Sequence, residues 1–238
     1  MKKWIEKLVQ QRNPAFVFDK DMQAADILVF FSMQVKAWLR GCKVVGRGRN
    51  PKNIMLGCAV RFHYIRRIGW GRFVKLGDHV TLSALGRQGI QLGNNVGIGA
   101  FSRLVVATSC NNIGHAITIG NNVGIGEYAY LGGAGGLTIG DDCIVGQYFS
   151  CHPENHHCDD TAALIRNQGV SRRGIVIGRN CWIGSKVTIL DGVAIGEGCV
   201  IAAGAVVNRS FPPDSIIGGV PARLLRKRGE KSVKDIAA

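Results

Sequence analysis

The 238-residue chain has room for one large domain or two small ones, and its 46% hydrophobic content excludes a disordered polypeptide. Thirty-three glycines, about twice the usual share, beside six prolines and 7% aromatics, exclude a collagen-like or low-complexity chain and make glycine structural and periodic. The net charge of +14 divides into +12 over residues 1–75, −2 over 76–221 and +4 over 222–238. Basic ends around a near-neutral body fit an anionic partner such as an acidic membrane surface or a phosphate-bearing ligand. Nucleic acid is not expected, because the body is slightly acidic and the ends lack interleaved aromatic and basic residues.

The chain opens MKKWIEKLVQ, without the apolar core and small-residue cleavage site of a secretory signal. Eight scattered cysteines are therefore expected as reduced thiols, mostly buried as small apolar residues, in a cytoplasmic protein. Asp21 to Leu39 predicts a helix: an acidic start, Ile27, Phe31, Val35 and Trp38 at three-to-four spacing, and Gly41 just beyond. Its apolar core, Ile27 to Phe31, is too short to span a bilayer. Two roles are open to this segment: capping the fold that follows, or peripheral contact with the inner face of the cytoplasmic membrane through basic residues.

Beyond it a period of six appears. Ile177, Ile183, Ile189, Ile195, Ile201 and Val207 are evenly spaced, as are Ile113, Ile119, Ile125 and Leu131, while Ile139 and Val145 continue in a new phase and Leu92, Ile98 and Leu104 form an earlier run. Gly or Ala follows most of them. Six is neither the helical nor the simple strand period. It predicts a prism of stacked parallel strands, three six-residue units to an 18-residue coil, with the aliphatic residue inward and the small residue letting the backbone turn the corner. Residues 105–112 interrupt the pattern briefly and residues 152–174 at length. A long polar excursion from a rigid repeat is where function is normally mounted, and His152, His156 and His157 lie in it. The predicted organisation is a basic helical segment over 1–43, a coil over 44–211 carrying the inserted loop, and a basic, partly helical tail over 212–238.

IGRNCWIGSKVTILDGVAIGEGCVIAAGAVV followed by GGVPARLLR resembles the coenzyme-binding half of the galactoside and maltose O-acetyltransferases, within the hexapeptide-repeat acyltransferase family. The resemblance covers residues 76–228, and HPENHHCDD with LIRNQGVSRRGIVIG narrows it to acetyltransferases of surface-polysaccharide synthesis. It implies an all-β, left-handed parallel β-helix, a homotrimer with active sites between subunits, acetyl-CoA as co-substrate and no metal. It further implies O-acetylation of a sugar or polysaccharide precursor, with a histidine as general base in direct attack on the thioester. In galactoside-type members that histidine lies seventeen residues after an Ile-Gly corner; from Ile139 the count reaches His156, with His152, in the family's His-Pro context, as the alternative. The coenzyme positions fall on Trp182, Ser185, Ala203, Gly204, Asn208, Arg209, Arg223 and Arg226, the last two suited to phosphate or adenine. Glu127 and Asn155 are candidates for the acceptor side; the family's acceptor-site asparagine position falls on Gly126 here, which argues against a simple galactoside. A sugar-nucleotide N-acetyltransferase is the nearest alternative. A more distant one is a γ-carbonic-anhydrase-like zinc site built from His115, His152 and His157, which leaves the WIGS and GVPAR strings unexplained.

Overall fold

The computed structural model describes residues 2–10 and 15–230. Two helices, α1 (Lys2–Gln10) and α2 (Ala24–Cys42), precede a left-handed parallel β-helix of three flat faces. The first face stacks Met55–Leu56, Lys75–Leu76, Gly97–Ile98, Gly124–Ile125, Ile144–Val145, Trp182–Ile183, Val200–Ile201 and Ser215–Gly219. The second face begins at Arg61–His63 and ends at Val206–Val207; the third runs from Ile68–Trp70 to Ala194–Ile195. Register partners are like on like: Leu76 pairs with Ile98, Ile98 with Ile125, Ile125 with Val145 and Val145 with Ile183. These side chains fill one continuous core along the axis.

Two of the three edges are constant. From inward residue to inward residue, first face to second and third face to first, the step is six residues in every coil, as in Ile125 to Leu131 and Ile139 to Val145. At the edge between second and third faces it ranges from 6 residues (Ile189 to Ile195) to 26 (Cys151 to Ile177). Coils of eighteen residues are therefore confined to the C-terminal end, as from Ile183 to Ile201, and earlier coils such as Ile125 to Val145 take twenty. The change of phase in the sequence is this edge lengthening.

The constant edges owe their shape to two separate positions. The glycine after the first-face residue is needed for close approach: a Cβ on Gly99, Gly126 or Gly184 would lie 2.4–2.6 Å from a backbone nitrogen of the next coil. The left-handed backbone falls two residues later, on Tyr128 (φ 58°) after Gly126 and on Tyr148 (φ 58°) after Gly146. Such residues recur coil after coil, so their side chains stack. His79, Phe101, Tyr128 and Tyr148 form a column of near-parallel rings with centroids 4.9–5.1 Å apart, which is the coil rise of about 4.8 Å. The other constant edge carries an amide ladder: Asn95 Nδ2 donates to Asn122 Oδ1 and Asn122 Nδ2 to Asp142 Oδ1, both at 3.0 Å.

At the N-terminal end α2 starts on a reciprocal cap between Gln23 and Asp26, and Gly41 brings its last turn against the Ile54 carbonyl. The short 3-10 segment Lys43–Arg47 then inserts Val44 into the end of the coil core. Between α2 and the first face lies a mainly apolar groove of about 720 Å³, lined by Met33, Ala37, Gly97 and Gly124. Ile5, Phe18 and Ile27 make a second, smaller core among the helical elements. At the far end the tail departs from expectation. Residues Ala222–Lys227 form a strand, not a helix, folding back antiparallel on Ser215–Gly219. The open side of the first face offers unpaired backbone groups, and the turn at Gly219 (φ 98°) and Pro221 delivers the chain to them. The last part of the expected tail, 231–238, lies outside the described residues.

Candidate active site

The variable edge carries the polar excursions, and two of them meet. The segment after Arg103–Val105 and the long loop after Ser150–His152 rise from nearby coils and enclose a cavity of about 500 Å³. His152, His156, Glu154, Arg172, Tyr130 and Asn112 are on its lining. His152 ends a second-face strand and pairs with Leu190 of the next coil. Its exposed ring stacks on Tyr130 with centroids 5.5 Å apart. The preceding Cys151 points inward and is fully buried. Burial pushes its thiol well above the ordinary range, so it remains a protonated core residue although it borders the cavity.

His156 lies farther out, on the two-residue strand Asn155–His156 that pairs antiparallel with Val170–Ser171. His157 faces the Gln168 carbonyl, its Nδ1 donating at 3.2 Å. Arg172 closes the loop on itself and ties it to the other excursion. Its Nε meets Glu154 Oε2 at 2.6 Å and its Nη1 donates to Asn112 Oδ1 at 2.7 Å, joining both excursions. Sequence reasoning did not reach Arg172, Glu154, Asn112 or Tyr130. Arg172 and Asn112 are sixty positions apart, and only their shared edge brings them together.

The coenzyme candidates occupy other parts of the surface. Trp182 stands outward on the first face, 60% exposed, between Ile144 and Val200. Ser185, Ala203 and Gly204 lie at the constant edge between first and second faces, where Ser185 Oγ donates to Gln147 Oε1 at 2.8 Å. Asn208 and Arg209 follow the last second-face strand, Arg209 lying over the Phe211 ring at 5.3 Å. Arg223 and Arg226 lie on the returning strand, opposite Gly218 and Ile216. Of the two acceptor candidates, Asn155 is on the loop hairpin beside His156, whereas Glu127 lines the groove under α2 and is not brought to the histidine cavity within one chain. His115 is on the third-face strand Gly114–Ile119. Among the described residues no group of three or more His, Cys, Asp or Glu side chains is placed to hold a metal ion.

Residues 174–209 match the family model for the bacterial transferase hexapeptide (six repeats). A putative acetyltransferase of Staphylococcus aureus (strain COL) is 45% identical over 83 residues, covering 34% of this chain and 38% of that protein. The galactoside O-acetyltransferase of Escherichia coli (strain K12) is 35% identical over 99 residues, covering 40% and 46%. A probable acetyltransferase of Mycobacterium tuberculosis is 36% identical over 92 residues, covering 39% and 31%. The chain thus spans less than half the length of these curated relatives. Among solved structures, AntD, an N-acyltransferase from Bacillus cereus in complex with dTDP and 3-hydroxybutyryl-CoA, superposes with a TM-score of 0.51 at 18% identity, covering 78% of this chain and 84% of that one. That likeness is one of fold. By its repeat, its relatives and its coil, the chain resembles the hexapeptide-repeat acyltransferases.

Proposed function

We propose that the protein transfers an acyl group, acetyl above all, from acyl-CoA to a hydroxyl of a sugar or polysaccharide precursor on the cytoplasmic side of the membrane. The observation that carries this reading is the histidine-lined cavity at the root of the loop, on the same coil as the matched repeat. An unassisted sugar hydroxyl is a poor nucleophile near neutral pH, and imidazole is the side chain suited to take its proton. Two histidines reach the cavity, and we assign the base to His152 in preference to His156. His152 is held by strand pairing and by a ring stack on the rigid coil, whereas His156 rides an exposed hairpin. A base must be held within a fraction of an ångström of its working position.

In the proposed reaction the imidazole takes the hydroxyl proton as the oxygen bonds to the thioester carbonyl carbon. The tetrahedral intermediate then expels the coenzyme thiolate, which receives the proton from the imidazolium. No covalent acyl-enzyme is involved. Trp182, Ser185, Ala203 and Gly204 would wall the pantetheine, Asn208 and Arg209 would supply polar contacts, and Arg223 and Arg226 would meet the nucleotide. Of these groups only Asn208 and Arg209 share the histidines' edge; the others lie on the first face, on the strand paired to it, or on the edge between first and second faces. A complete site therefore calls for a second copy alongside, and a homotrimer with sites between subunits supplies it, bringing Glu127 of one copy within reach of another copy's loop. The alternative acceptor is the amine of a sugar nucleotide, the class of ligand held by AntD in its complex with dTDP-4-amino-4,6-dideoxyglucose and coenzyme A.

The test is thiol release from acetyl-CoA with a panel of sugars, oligosaccharides, sugar nucleotides and amino-sugar nucleotides. The expected result is acceptor-dependent release that falls by about 10²–10⁴-fold in His152→Ala and much less in His156→Ala. Loss confined to the His156 variant would reassign the base. Failure of the intact protein to bind CoA by calorimetry would remove the transferase reading.

A further inference from the structure

The helix α2 has two apolar sides, and the fold accounts for one. Ile27, Ala37 and Gly41 are buried toward the rest of the protein. Leu28, Val35, Trp38 and Leu39 are 36–55% exposed. With half-buried Phe31 they follow one helical stripe. Trp4 of α1, 61% exposed, meets Phe31 edge to face at 6.3 Å and widens the stripe with a second exposed indole.

The surroundings of the stripe identify its occupant. Lys36, Lys43 and Arg47 are exposed along the same helix and the turn that follows, and the only acidic residue on α2 is Asp26, in its first turn. A second copy docking through this stripe about a twofold axis would set these cations against themselves. Anionic lipid meets both features: headgroups attract the cations, indoles favour the boundary between headgroup and hydrocarbon, and the aliphatic residues enter the acyl region. No helix among the described residues is long and apolar enough to cross a bilayer, so the helix would lie along the surface.

We propose that the outer stripe of α2, with Trp4 at its border, is a docking surface for anionic phospholipid membranes. The proposal does not depend on the reaction assigned to the cavity. It is tested by flotation of the full chain with vesicles of phosphatidylcholine alone or with about one third phosphatidylglycerol. Alongside the intact protein, Leu28→Asp with Leu39→Asp removes the apolar contact, and Lys36→Glu with Lys43→Glu, which leaves the core untouched, removes the charge. Thermal melting and particle mass are measured for each. The expected result is binding to the anionic vesicles only, screened by salt, and weakened on the order of twentyfold or more by the lysine pair at unchanged melting temperature and particle mass. Equal or negligible binding to both vesicle types would overturn the proposal, as would lysine variants that bind as the intact protein does. A smaller particle in the leucine variant, with vesicle binding intact, would make the stripe an interface between copies.

Discussion

The two constant edges of the coil and its one variable edge are built by the same chain from the same repeat, yet they behave as different materials. At a constant edge each residue meets its equivalent one coil away, so one solution repeats as a ring column or an amide ladder. At the variable edge the step runs from 6 to 26 residues, and contacts such as Arg172 to Glu154 and Asn112 occur once. Repetition yields rigidity through many equivalent small contacts; irregularity yields a cavity held by a few specific ones. The chemistry proposed here is mounted on the second and positioned by the first.

The largest effect should come from breaking a constant edge. Gly126→Val places a side chain where the Gln147 nitrogen sits 2.6 Å from the Cβ position, and should cost on the order of 4 kcal/mol in denaturant unfolding. At the variable edge, Arg172→Met should cost about 2 kcal/mol by removing charge-assisted hydrogen bonds. Its signature is faster hydrogen exchange across 152–174 with the coil's protection unchanged; uniform loss of protection would show that loop and coil are one cooperative unit. Removing a single rung from the ring column by Tyr128→Ala should cost about 1–2 kcal/mol, since two stacked contacts are lost. A smaller effect has the opposite sign. Ala59 holds φ at 53° on an exposed corner, and Ala59→Gly should raise stability by up to about 1 kcal/mol. Gly124→Val, two residues before the most damaging substitution, should be nearly neutral because nothing lies within 4 Å of its Cβ position.

Much of the coil was legible because its inward positions are aliphatic at an interval that no helix or simple strand produces. The run from Ile177 to Val207 falls on buried positions throughout. The 18-residue coil was read from the C-terminal end and does not hold where the variable edge is longer, since Leu131 to Ile139 takes eight residues. The tail misled because Ala222–Lys227 is rich in leucine, arginine and lysine, good helix formers, and only an open sheet edge nearby turns it into a strand. The histidines announced the cavity; that His152 sits on the coil and His156 on a loop hairpin depends on strand pairing, which no count along the chain displays. No local pattern announces Arg172, whose partners are set by the stacking of coils.

The constant rise of the coil makes it a ruler. Four coil steps on the second face separate Arg61–His63, near the α2 end, from Ser150–His152, a distance of about 19 Å at 4.8 Å per step. Since both invariant edges accept the same six-residue join in every coil, a whole coil can be inserted or removed without altering either end. Each such change would shift the loop by one step relative to the basic helix and alter its facing by little. Chain length between Met55 and Ser150 is thus a setting for reach, adjustable in increments of one coil.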